Sequence, residues 1–131
     1  MTYYISKTLE DSMDGAVEKG TAALQSHGFG VLTEIDVKAT LKKKIDVDFR
    51  GYRILGACNP HFAYEALQSE DMIGTMLPCN VIVQERDNGM VEVSAVDPKA
   101  SMQAIKNSKL ESIAEEVRER LSCVITSLNA S

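Results

Sequence analysis

The chain has 131 residues, 44% of them hydrophobic and 25% charged, with three cysteines and no tryptophan. That length suits a single domain, residues 1–131, with a hydrophobic core of its own. Aromatics at 5% exclude an extended stacking surface for bases or sugars, and a net charge of −5 speaks against nucleic acid as a partner.

The polar, acidic opening "MTYYISKTLEDSMDGAVEK" does not read as a signal peptide, and no apolar run reaches membrane-spanning length. Three cysteines cannot all pair within one chain. The expectation is a cytoplasmic protein with free thiols and no membrane partner.

Strand-like alternation over 2–9 ("TYYISKTL") predicts a first strand. Met13, Val17, Gly20, Leu24 and His27 then share one helix face, and Gly28 is the expected stop. Gly20 lies inside this helix at some cost, which predicts close packing on a sheet. His27, on the apolar face, reads as a packing residue rather than a ligand. "GVLTEIDV" (30–37) alternates as a second strand, and Asp36 is placed to cap the short helix "VKATLKKKI", with Val37, Leu41 and Ile45 inward.

"YRILGACN" (52–59) reads as a third strand, with Gly56 at a point of close approach. In "NPHFAYEALQ", Asn59 fits the N-cap and Pro60 the first helical position, with Ala63, Ala66 and Leu67 inward. "CNVIVQER" (79–86) and "MVEVSAV" (90–96) flank "DNG", a turn sequence that predicts a hairpin. Asp97 and Pro98 repeat the cap-plus-proline device.

The closing stretch "SKLESIAEEVRERLSCVITSLN" carries the stripe Leu110, Ile113, Val117, Leu121, Val124 and Leu128, with Ser108 and Glu111 as a capping box. The order β-α-β-α-β-α-β-β-α predicts an α+β domain. Its two layers would be a mixed sheet of about five strands and the helices that cover it.

"GFGVLTEIDVKATLKKKIDVDFRGYRILGACNPHFAYEAL" followed by "IGTMLPCNVIVQE" resembles the family known as domain of unknown function 302. The resemblance spans roughly residues 1–98 and rests on Cys58, Asn59, Pro60, Ala63, Leu67, Gly74, Leu77, Pro78, Cys79 and Asn80. It implies a two-layer α/β domain, often a homodimer, in bacterial and archaeal proteins, and no established reaction. Gly51 departs from the pattern, where the family is associated with proline.

Chemistry concentrates in Cys58, His61 and Cys79, spaced C-x2-H-x17-C. Two thiolates and an imidazole suit zinc or another divalent metal. Cys58 before a helix N-terminus, with His61 one turn away as base, suits a thiol-dependent enzyme or redox sensor. Buried cysteines beside a capping Asn-Pro suit a purely structural role.

Topology separates these readings. Parallel strands would place Cys58 and Cys79 roughly 20 Å apart at opposite ends of the sheet. If residues 70–78 run back along the helix, the strands are antiparallel and the cysteines adjacent.

The reading carried forward is a small-molecule or metal-binding module. Its candidate residues are Cys58, Asn59, His61, Cys79 and Asn80, with Arg50 and Arg53 adding positive potential. Those arginines belong to a basic window, 38–53, that reads either as a solvated face or as an anion-attracting rim beside a pocket. A structural dimerisation protein, built on the last helix or the sheet face, is the remaining alternative.

Overall fold

The computed structural model describes residues 2–128. Five strands, β1 (Tyr4–Glu10), β2 (Gly30–Asp36), β3 (Tyr52–Cys58), β4 (Cys79–Glu85) and β5 (Met90–Val96), form one sheet in the order β1-β5-β4-β3-β2. Every neighbouring pair is antiparallel. The fold is α+β with the expected element order, and its sheet is wholly antiparallel rather than mixed.

The connections explain this. After β3 the chain turns through α3 (Pro60–Ser69), then a 3-10 segment (Asp71–Met76), and returns to the end of the sheet it left. Ala57 and Cys79 consequently become cross-strand partners. The β4–β5 hairpin closes on "DNG", where Asn88 and Gly89 take φ of 67° and 73°. Positive φ is the conformation tight hairpin turns demand.

Local caps set the helix starts. The Ser12 hydroxyl accepts the Gly15 N–H and opens α1 (Met13–Ser26), and Gly28 follows its end at φ 87°. Asp36 accepts the Ala39 N–H at 2.9 Å and opens α2 (Val37–Ile45). The Asn59 side-chain oxygen accepts the N–H groups of His61 and Phe62, with Pro60 in the first turn. Asp97 does the same for Lys99 and Ala100 at the one-turn helix α4 (Pro98–Ser101).

α5 (Ser108–Thr126) departs from the expected capping box. Its N-cap is Asn107, whose side-chain oxygen accepts from Lys109 and Leu110. Ser108 is already inside the helix. The Asn107 amide nitrogen also donates to Ser69 O at 3.0 Å, tying the end of α3 to the start of α5. The quoted closing stretch runs to residue 129, which lies outside the described residues.

α1 and α5 cover one face of the sheet. Leu24, Leu121 and Val124 pack there with Leu9, Leu55, Val81 and Val93, all essentially buried. The expected stripe on α5, Leu110 through Leu128, is buried throughout. Full burial of each such side chain contributes about 1.5–3 kcal/mol, the main favourable contribution to the fold. A second, smaller cluster of Ala66, Ile73, Met102, Leu110 and Ala114 joins α3, the 3-10 segment and the start of α5.

α2 is the exception among the helices: it buries no residue, and Ile45 is exposed instead of inward. Gly20 is buried, but no close approach requires it, because a Cβ there would meet nothing within 4 Å. At Gly56 the tight fit is real. A Cβ would collide with Thr33 Oγ1 and stand 2.9 Å from Pro78 Cγ. Gly51 also has a local reason: its N–H donates to the Glu85 carboxylate, a bond proline could not make.

On the sheet face away from the core cluster, register aligns Ser6, Ser94, Ile82, Ile54 and Ile35 in one row across all five strands. Among the described residues, no helix is long and apolar enough to cross a membrane.

Candidate functional site

The two hydrophobic clusters do not merge. Between them, at the end of the sheet where β3 finishes and β4 begins, lies a cavity of about 330 Å³. β3, β4 and the loop between them contribute Ala57, Cys58, Asn59, Pro78 and Cys79; α3 contributes Phe62, Ala63, Ala66 and Leu67; α5 contributes Leu110, Ile113, Ala114 and Val117. Its size falls at the lower end of small-molecule sites, which are typically apolar clefts with a few placed polar groups.

The lining is almost entirely hydrocarbon. Its polar residues are Asn59 and the two thiols. Small side chains are what keep it open: Ala57, Ala63, Ala66 and Ala114 stand where larger residues would close the seam. Seven of the ten positions that carry the family resemblance line this cavity: Cys58, Asn59, Ala63, Leu67, Leu77, Pro78 and Cys79.

Cys58 and Cys79 therefore share one pocket. Burial, followed by the nearby Cys58, pushes the Cys79 thiol up to about 11. Cys79 is held as a neutral thiol at physiological pH, which suits an apolar wall better than a nucleophile or a metal ligand.

His61 does not join them. It sits in the first turn of α3 and is exposed. Among the described residues, no group of three or more His, Cys, Asp or Glu side chains could hold a metal ion. The C-x2-H-x17-C spacing thus brings its two cysteines to one pocket and leaves its histidine outside a three-ligand cluster, because a helical residue just past the cap points away from the sheet end.

The remaining candidates are spread over other surfaces. Asn80 faces a separate recess of about 370 Å³ on the opposite side of the sheet, together with Tyr4, Tyr52, Ile82 and Glu92. Arg50 donates to Gln84 Oε1 at 2.9 and 3.1 Å and lies over the rings of Phe49 and Tyr52. Arg53 pairs with Glu34 at 2.8 Å and lies near Asp14 and Asp36, and these acids raise its pKa further. Lys42 pairs with Asp46 and Asp48. Much of the basic window is thus engaged by its own neighbours, and neither arginine lines the apolar cavity.

His27, expected to be a packing residue, is partly exposed at the end of α1, its Nδ1 2.8 Å from Ala23 O. Met72 and Met76 are exposed, and neither they nor Met90 line the cavity.

Arg120 went unnoticed in the sequence. Its guanidinium carbon stands 5.0 Å from the centre of the Phe62 ring, a wall of the cavity. The only sequence signal was position: Arg120 lies three residues after Val117 of the apolar stripe, on the stripe's polar edge.

Residues 5–128 match the family model described as "Domain of unknown function DUF302". The chain is also similar to the crystal structure of an uncharacterized conserved DUF302 protein from Bacillus stearothermophilus. The two are 26% identical, with a TM-score of 0.89 over 96% of this chain and 98% of that one. No curated protein matches the chain.

Proposed function

The chain belongs to the DUF302 family, and we propose that it is a single-domain, cytoplasmic binding module whose ligand is a small apolar molecule held between α3, α5 and the β3–β4 end of the sheet. The observation that carries this reading is the cavity at the seam of the two cores. A half-open apolar recess of this kind leaves hydrocarbon facing water, which an apolar ligand would cover. The site is preformed and nearly free of polar groups, as apolar ligands require.

The metal version has less support, because the lining supplies two thiols and no third ligand. The thiol-enzyme version has less support too. One thiol is held neutral, and no hydrogen bond joins the His61 ring to Cys58 among the described residues.

The test is titration with a neutral apolar fluorophore such as Nile red, on wild-type protein and on Ala63→Leu. Saturable one-to-one binding is expected for wild type. Ala63→Leu fills the cavity and should lose that binding while melting at the same temperature or higher. Absence of saturable binding to wild type, or equal binding to both proteins, overturns the reading.

We further propose that two copies associate through the uncovered sheet face. The support is the row Ile82, Ile54 and Ile35, with Tyr4 and Tyr52 nearby on the same face.

A further inference from the structure

We infer that the pocket takes a monocarboxylate with an apolar body, its carboxylate held at the mouth by Arg120 and Asn59. This rests on the proposed apolar binding and adds the ligand's chemical class.

Three observations meet at the mouth. Arg120 is half exposed, and its guanidinium carbon stands 5.0 Å from the centre of the ring of Phe62, which lines the cavity. Its nearest acid is Glu116, with Nε 3.7 Å from Oε1, too long for a hydrogen bond. Its Nη groups have no acceptor among the described residues.

Asn59 divides its side chain between two tasks. The oxygen caps α3 through the N–H groups of His61 and Phe62. The Nδ2 group has no protein acceptor among the described residues, though Asn59 lines the cavity.

These two donors converge beside Gly28. A methyl group placed on Gly28 would stand 3.1 Å from Asn59 Nδ2 and 3.4 Å from Arg120 Nη1, so the two nitrogens are no more than about 6.5 Å apart. A carboxylate seated between them, clear of the glycine, could accept from both, and one of them is charged. A planar guanidinium beside an amide matches a carboxylate, which takes two parallel N–H bonds.

The cavity behind the donors sets the body of the ligand. A volume of about 330 Å³ accommodates about ten carbon atoms, at roughly the 30 Å³ one small liquid molecule occupies. No second charged group faces the interior, so a dicarboxylate would leave a charge buried and unpaired.

The experiment compares decanoate, decanol and methyl decanoate by calorimetric titration. Wild type should bind decanoate at least about tenfold more tightly than decanol or the ester, the discrimination one charge-assisted hydrogen bond supplies. Arg120→Met keeps an apolar side chain over Phe62 and should bring acid and alcohol to within about threefold. Arg120→Lys should restore part of the preference. Asn59→Asp preserves the cap oxygen while replacing the donor with negative charge, and should bind decanol better than decanoate.

Equal affinity of wild type for acid and alcohol overturns this inference and leaves apolar binding standing. So does an equal loss for both ligands in Arg120→Met. Failure of all three ligands and of Nile red overturns both readings together.

Discussion

Cys79 stands directly across from Ala57 in the β3–β4 ladder, and this pairing carries Cys58 to the same end of the sheet. The antiparallel return of the chain, not the spacing of the cysteines, is what makes them neighbours. Their surroundings then make Cys79 a poor nucleophile.

Alkylation and stability should both report this. At pH 8 the exposed Cys123 should react with iodoacetamide well before Cys79, as mapped by mass spectrometry. Folding favours the protonated Cys79 thiol, so the associated stability is fully present below about pH 9 and is lost as pH rises through about 11. A displacement from the ordinary 9.0 to about 11 corresponds to about 3 kcal/mol. Urea titrations at pH 8 and 11 should show the loss in wild type and a smaller one in Cys79→Ala.

The isoleucine row makes the association testable. Ile54→Lys sets a charge in the middle of the uncovered face, where a second copy would have to bury it. Sedimentation velocity across a hundredfold concentration range should show a wild-type dimer and an Ile54→Lys monomer of unchanged circular dichroism. A monomeric wild type at every concentration would remove the proposed interface.

At the start of α5, Asn107→Ala removes two accepted N–H bonds and the bond to Ser69 O. The expected loss is about 1–2 kcal/mol by urea denaturation. Ser108→Ala should change stability by less than about 0.5 kcal/mol. A reversed ranking would return the cap to Ser108.

Gly20→Ala should stabilise the protein. The position is inside α1, buried, and open to a Cβ. The gain expected from helix propensity is about 1 kcal/mol, or about 3–5 °C in Tm by calorimetry. A fall in Tm would mean that the helix cannot accept the methyl group against its neighbours.

These cases mark what the chain discloses on its own. Asp36, Asn59 and Asp97 were readable as caps because a cap bonds only the next two or three residues. The α5 stripe was readable because one face of one helix records its own burial. At α5 two adjacent residues, Asn107 and Ser108, could each cap, and the choice falls to a contact with Ser69 far away in sequence.

The cavity was hidden for the same reason on a larger scale. Half of its site was visible as the "ACNP" and "LPCN" turns. The other wall comes from Leu110, Ile113, Ala114 and Val117, which in sequence read only as core. Arg50 and Arg53 drew attention as a charge run, but charge along the chain does not tell which cavity a side chain borders. Arg120, on the polar side of α5 beside Arg118 and Glu119, stands over Phe62, a wall of the pocket.

The β1–β5 ladder has a consequence for biosynthesis. Glu10 pairs with Met90, and Tyr4 with Val96. β1, made before the other four strands of the sheet, therefore has no sheet partner until roughly eighty further residues have emerged. Closing so long a loop is slow, since its chain entropy is lost before any contact is gained. Until then the β3–β4–β5 ladder can assemble with its β5 rim bare, an open template for another chain. A nascent polypeptide that has emerged only to just past Val96 would have all five strands but not α5, which with α1 covers the sheet, and that interval is when it most needs a chaperone.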